Sequence, residues 1–374
     1  MKLEEFKLER YFAKYEFNAP YLLCCSDCQS FTVKELLDLG GEDAFSSFHN
    51  LYLGYTESLG NPLLRQQITN QYKSIKAEEV LVTSGAEEAI FIFMNVMLDK
   101  GDHVIVQYPC YQSLFEIARS IGCEVTKWEI KEEQNWELDL DFLVQNIKEN
   151  TRAIIVNSPH NPTGYLMSRE KLAALIDLAR RQNILLFSDE VYRFLEYSEA
   201  DRLDAACDLY ENAVSLGVMS KTYGLPGLRI GWIATKNRTV YQKMAAFKDY
   251  TSICNSAPSE FLATLALQHW NKLAQRNLAI IKQNLALLDQ FFTRYANLFS
   301  WQRPKAGPIA FPSIKWEGHV EDFCIDLVNS QGVLLLPGNY YDCGHNKNFR
   351  VGFGRQNMPD CLAKLEEYIK EKLL

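Results

Sequence analysis

The stretch that decides the fold is Glu78–Ile130, EEVLVTSGAEEAIFIFMNVMLDKGDHVIVQYPCYQSLFEIARSIGCEVTKWEI. Short apolar runs (EEVLVTSG, DHVIVQYP, CEVTKWEI) alternate in it with amphipathic helical stretches (EEAIFIFMNVML, SLFEIARSIG). Strands separated by helices predict a parallel sheet with crossover helices, because each helix returns the chain to the edge where the next strand begins. The strand runs are nearly continuous in apolar residues, so both faces of the sheet are expected to be covered.

Downstream the alternation continues through TRAIIVNSP (151–159), the helix REKLAALIDLARRQ (169–182) with Ser168 placed to cap it, and the strands NILLFSDE (183–190), NAVSLGVMS (212–220) and RIGWIAT (229–235). After Ala257-Pro258 the chain turns strongly helical, with a long amphipathic stretch near 273–295. Beyond Trp301 come shorter strand candidates, PIAFPSIKW, GVLLLPG and FRVGFG, and then a charged helix, which suits a smaller α+β domain. The expected division is a large domain over 46–270 and a small domain built from 1–45 and 271–374, with the helix near 273–295 between them.

Composition excludes several classes of function. A length of 374 residues with 47% hydrophobic content is ample for a packed core. The net charge of -8 is spread along the chain without a basic block, so the field repels phosphate backbones and nucleic acid is not an expected partner. The N-terminal MKLEEFKLERYF is charged and amphipathic, and the most apolar later run, Ala89–Leu98, falls short of the ~20 residues that span a bilayer. A soluble cytoplasmic protein is expected, with no membrane partner. The ten cysteines lack the regular pairing of a secreted scaffold and read as reduced thiols. Cys24, Cys25 and Cys28 contain one C-x-x-C, but no second ligand pair at matching spacing follows, so no metal is expected.

Candidate chemistry sits at the ends of the strands. Lys221 follows the apolar run AVSLGVM in the turn SKTYGLPG, at a strand end where an open α/β sheet binds ligands and where desolvation favours a nucleophilic amine. Asp189 ends the buried strand NILLFSD and calls for a cation, such as a protonated pyridine nitrogen, with Tyr192 three residues on; a helix cap or structural salt bridge is the plainer alternative. The segment NSPHNPTG (157–164) has the composition of an ordinary turn. Gly85 opens the helix EEAIFIFMNVML, where the N–H groups of Gly85, Ala86 and Glu87 are placed to cradle a phosphate that Arg229 also grips, although Glu87 and Glu88 suit the helix dipole without one.

Taken in order, these segments resemble the class I and II aminotransferases, fold-type I enzymes that use pyridoxal 5'-phosphate, over roughly Tyr55 to Arg350. The most specific stretch is SKTYGLPGLRIGW (220–232), similar to the family's cofactor-lysine signature. The resemblance implies a large domain with a mostly parallel seven-stranded sheet sandwiched by helices and a smaller α+β domain. It implies Lys221 as the Schiff-base lysine, Arg229 and Ser220 at the phosphate, Asp189 at the pyridinium nitrogen, and Asn161 and Tyr192 at the phenolic oxygen. YPCYQSLFE resembles the segment whose aromatic stacks on the cofactor ring, here Tyr111. FRVGFG resembles the segment supplying the arginine for the substrate α-carboxylate, here Arg350, with Asn161 beside it. YLGYTESLGNPLLRQQI resembles the segment whose tyrosine, here Tyr55, reaches the cofactor phosphate of the other subunit of a homodimer.

The implied activity is ping-pong transfer of an amino group between an L-amino acid and a 2-oxo acid. The alternative is a pyridoxal-phosphate-dependent cyclase or lyase acting on an amino acid such as an arginine derivative. Two departures bear on it. Val218 stands where many members carry Ser or Thr three residues before the lysine, and LLCCSDCQSFTVKELL (22–37) lacks the usual glycine and proline pattern of the substrate mouth. No winged-helix module precedes the enzyme-like region, so a free-standing enzyme is expected rather than a transcription factor on the same fold.

Overall fold

The structure is a computed structural model that describes residues 2–341, 344 and 346–374. Seven strands, β1 (Val80–Thr83), β2 (His103–Tyr108), β3 (Glu124–Glu129), β4 (Thr151–Asn157), β5 (Leu185–Asp189), β6 (Ala213–Val218) and β7 (Gly231–Ala234), form one sheet in the order β1-β7-β6-β5-β4-β2-β3. Only β7 runs against its neighbours β1 and β6; the other pairings are parallel.

Side chains alternate across this sheet with the period of two that a pleated strand imposes. Val104, Val106, Ile155, Phe187 and Leu216 join one buried cluster, while Ile105, Ile154, Val156 and Leu186 join another. The first cluster includes Phe93 of the helix Ala86–Met97, and the second includes Leu175 and Ala179 of the helix Arg169–Arg181. Covering both faces explains why the strands read as unbroken apolar runs. Ser168 does cap the helix Arg169–Arg181, its side chain accepting from the Lys171 N–H at 3.2 Å.

Two helices reach the site, α1 (Lys7–Tyr15) and α2 (Ala86–Met97), and a long third one, α3 (Trp270–Arg294), follows the large sheet in the chain. In α3, Leu273, Ile281, Leu285, Leu288 and Phe292 are buried at helical spacing. Beyond it, Ile309–Ala310, Phe349–Gly352 and Leu336–Pro337 make a small antiparallel sheet with Phe349–Gly352 in the middle. Tyr21–Leu22 lies parallel to Val333–Leu334, which ties the N-terminal segment to the C-terminal part of the chain. Helix α1 spans a gap between elements: the Tyr11 hydroxyl donates to the Leu335 carbonyl (2.9 Å) and the Lys7 N–H to Gln112 Oε1 (3.0 Å).

The register brings distant residues to one edge. Asn157 lies opposite Asp189, Asp189 opposite Leu216, and Gly231 opposite both Thr83 and Val218. The carboxyl ends of β1, β4, β5 and β6 are therefore level, and the turn before β7 joins them. One sequence expectation is corrected here. Arg229 does not begin a strand; it stands in the turn ahead of β7 at φ 52°, the left-handed conformation in which the Pro226–Leu228 turn ends.

Candidate active site

At this carboxyl edge lies a cavity of about 480 Å³ lined by Lys221, Asp189, Asn161, Tyr192, Tyr111 and Arg350, with Ala86, Glu87, Ser220 and Arg229 at its other end. The crevice outside strand ends is where open α/β sheets bind ligands. Ala86, Asn161, Asp189 and Lys221 meet there because the strands they end or follow belong to one sheet, while Arg350 comes from the separate small sheet.

Asp189 closes the base of the cavity. It is buried, and its carboxylate takes one hydrogen bond, from the Val191 N–H at 3.2 Å, with no ion pair among the described residues. Burial pushes its carboxyl up to about 7, against the pull of the Val191 hydrogen bond and the Lys221 charge. A buried carboxylate without a cation is costly, so this geometry calls for a positively charged ligand group. Asn157 fixes the surrounding loops: its Nδ2 donates to the Asp189 carbonyl (3.0 Å) and its Oδ1 accepts from the Asn161 N–H (2.7 Å). Asn161 Oδ1 in turn accepts from the Tyr341 hydroxyl (2.9 Å) and from Arg350 Nη1 (3.3 Å), which turns its amide nitrogen elsewhere as a donor. The buried Tyr192 hydroxyl makes no well-formed hydrogen bond.

Lys221 enters from the turn between β6 and β7, and its Nζ lies 2.8 Å from Ser26 Oγ. Burial holds its amine below the usual lysine range; Asp27 pulls it back up, and Arg350 pushes it further down. A desolvated amine beside a cation is the setting that activates lysine for imine chemistry.

At the opposite end, α2 starts at Ala86 behind Gly85, which has φ 82°. The expectation of three backbone donors is corrected to two. The Gly85 N–H already donates to the Thr83 carbonyl at 2.9 Å, because the turn folds back on β1. The N–H groups of Ala86 and Glu87 have no partner within the helix and remain for an anion. Gly85 matters instead for its missing side chain, since a Cβ there would sit 2.8 Å from Arg229 Nη2. Gly85→Ala is therefore expected to displace Arg229 and to weaken anion binding at this helix start about tenfold or more. Calorimetric titration of the variant with inorganic phosphate measures this, and an unchanged affinity would contradict it. Ser220 lines this end, and so does Val218, which supplies no hydroxyl.

Apart from Arg350, the remaining wall of the cavity holds residues that the sequence did not single out. Arg350 is buried, with Nε donating to the Cys24 carbonyl (2.9 Å) and Nη1 to the Tyr341 hydroxyl (2.7 Å), and no carboxylate meets it among the described residues. Arg355 clamps Asp27 through two bonds of 3.0 and 2.8 Å. Helix α1 contributes Glu9 and Phe12 to the wall, and Glu16, which caps its C-terminus, adds to it; Glu9 accepts a hydrogen bond from the Tyr111 hydroxyl at 3.1 Å. Among the residues missed, only Arg355, directly after FRVGFG, offered a sequence signal; Ser26, Tyr341 and the α1 residues are brought in by tertiary contacts alone.

Tyr55 is not brought into this cavity. It is 94% exposed, beside the exposed Tyr52 and Leu53. Cys24, Cys25 and Cys28 are buried free thiols, and no group of three or more His, Cys, Asp or Glu suited to a metal occurs among the described residues. No helix among these residues is long and apolar enough to cross a membrane.

The unpaired buried Asp189, the Tyr192 hydroxyl without a well-formed bond, the amine of Lys221 and the free N–H groups of α2 with Arg229 suit the chemistry of a phosphorylated pyridine aldehyde. Such a site on such a sheet defines a fold-type I pyridoxal-phosphate enzyme. Comparison with known proteins places it more closely. The family model for aminotransferase class I and II matches residues 23–364. A pyridoxal-phosphate-dependent aminotransferase from Streptococcus suis superposes with a TM-score of 0.93 and 35% identity over 99% of each chain. The pyridoxal-phosphate-dependent cyclase OrfR superposes with a TM-score of 0.90 and 29% identity over 100% of this chain and 98% of its own. Capreomycidine synthase of Streptomyces vinaceus is 28% identical over 83% of this chain and 79% of its own length. The chain belongs to the class I and II aminotransferase family, and it is an aminotransferase whose cofactor is pyridoxal 5'-phosphate.

Proposed function

We propose that this aminotransferase holds its cofactor on Lys221 and moves an amino group between an L-amino acid and a 2-oxo acid in a ping-pong exchange. The observation that carries the reading is the opposition, in one cavity, of the desolvated Lys221 amine and the unpaired buried Asp189. Bound there, pyridoxal phosphate supplies a sink for the electrons left on the substrate α-carbon when its proton departs. Asp189 would pair with the ring nitrogen and favour its protonated form, Asn161 and Tyr192 would bond the phenolic oxygen, and Tyr111 would lie against the ring. Ala86, Glu87, Ser220 and Arg229 hold the phosphate. Lys221, once its amine is free, takes the α-proton and returns it as an acid.

Arg350 orients the α-carboxylate of donor and acceptor alike, since a planar guanidinium matches a carboxylate in two hydrogen bonds. Arg350→Ala is expected to lower kcat/KM by about 10²- to 10³-fold while the bound cofactor's visible band is retained. Steady-state kinetics and a spectrum check both parts, and loss of the band with activity would assign Arg350 to the cofactor instead.

The exposed Tyr52, Leu53 and Tyr55 support a homodimer in which Tyr55 reaches the neighbouring cofactor phosphate. The described cysteines are all free, which supports a cytoplasmic location. We also keep the division into a large domain (46–270) and a small domain (1–45 and 271–374), supported by the pairing of Tyr21–Leu22 with Val333–Leu334.

A panel of amino donors with 2-oxoglutarate or pyruvate tests the reaction. A new amino acid formed from the oxo acid is the expected result. Consumption of a donor without one would instead favour cyclisation, the reading suggested by likeness to the cyclase OrfR.

A further inference from the structure

The N-terminal segment 22–37 departs from the family pattern, and its fold shows what it is built to present. Its backbone is stitched to the strand that carries Arg350. The Gly352 N–H donates to the Leu23 carbonyl (2.9 Å), the Gln29 N–H donates to the Gly354 carbonyl (2.8 Å), and Arg350 Nε reaches the Cys24 carbonyl. The contact is close enough that a Cβ on Gly352 would fall 2.0 Å from the Cys25 carbonyl oxygen. Asp27 is fixed from the side by the two bonds to Arg355. Between Cys25 and Asp27, Ser26 is thus held on a braced loop, and its hydroxyl meets Lys221 Nζ at 2.8 Å.

We propose that Ser26 is a positioning residue for Lys221, holding its amine over the substrate α-carbon while that amine is free. The inference rests on the reading of Lys221 as the cofactor lysine. Ser26 Oγ lies 2.8 Å from Lys221 Nζ, within hydrogen-bond reach of an amine that the substrate's amino group has displaced. An amine that donates one N–H to Ser26 Oγ keeps its lone pair for the α-proton. The Tyr192 hydroxyl nearby is buried without a well-formed bond, and burial pushes it up, so it stays protonated. The serine therefore fixes the position of the base.

Ser26→Ala in the holoenzyme is expected to lower kcat about 10- to 100-fold, with KM within about twofold, because misplacing a reacting group by about 1 Å costs on that order. Exchange of the substrate α-proton with deuterium from solvent should slow by the same factor, and Ser26→Thr, which keeps the hydroxyl, should recover kcat to within about threefold. A second readout uses the cofactor-free protein: acetylation of the Lys221 amine, followed by mass spectrometry as a function of pH. Ser26 Oγ stabilises the ammonium form more than the amine, so the midpoint should fall in Ser26→Ala. A kcat within twofold of wild type, a change confined to KM, or an unmoved acetylation midpoint would overturn the proposal. Failure of the underlying reading shows separately, as a wild-type protein without a lysine-dependent visible band.

Discussion

Lys221→Ala is expected to abolish the visible band of the purified protein and to lower turnover by about 10⁴-fold or more. Two roles are lost at once, the covalent hold on the cofactor and the movement of the α-proton, and acid–base groups alone typically account for 10²- to 10⁴-fold. The fold should survive, because Lys221 sits in a turn facing the cavity and its side-chain hydrogen bond is to Ser26. Lys221→Arg should not restore activity, since a guanidinium stays protonated and forms no imine. Absorbance spectra with a stopped-time assay decide the matter; a band that persists in the alanine variant would place the attachment elsewhere.

Asp189→Asn is expected to lower kcat by about 10²- to 10³-fold, the cost typical of removing one preorganised electrostatic contact, while the cofactor stays attached. The pH dependence of stability carries a sharper signature. In the cofactor-free protein, burial raises the Asp189 carboxyl to about 7, so the folded state binds its proton more tightly than the unfolded chain does. Stability contributed by that proton is present at low pH and is lost as pH rises from about 4 to about 7, on the order of a few kcal/mol. The asparagine variant should lack this loss, and bound cofactor should reverse it by offering the carboxylate a cation. Urea unfolding of both proteins at pH 5 and pH 8 measures the difference. Equal pH dependence in the two would contradict the assignment of an unpaired carboxylate at the base of the site.

The large sheet was legible because its strands, apart from the edge strand β3 (EVTKWE), are buried on both faces as nearly continuous apolar runs such as VLVT or AIIVN, and helical periodicity separates one run from the next. The cofactor end of the site was legible for a related reason. Asp189, Asn161 and Lys221 each follow directly from a strand, so their place is set by local sequence plus register. At the other end of the site only Arg350 was legible. Glu9, Phe12 and Glu16 reach the cavity only because α1 docks between Gln112 and Leu335. Ser26 is presented by a loop whose shape depends on Gly352, Arg350 and Arg355, more than 300 residues away. Gly85 shows a finer limit: its spacing marks a helix start, but only the turn geometry reveals that its N–H is spent on Thr83. Substrate choice lies in the part that tertiary docking assembles.

The central claim is that Lys221 carries pyridoxal phosphate opposite Asp189. It is tested most directly by reducing the purified protein with borohydride, digesting it, and locating the pyridoxyl group by mass spectrometry. The account predicts that the visible band disappears on reduction and that the added mass lies on the peptide containing Lys221. An adduct on another lysine, or no adduct in a protein that retains its fold, would contradict it.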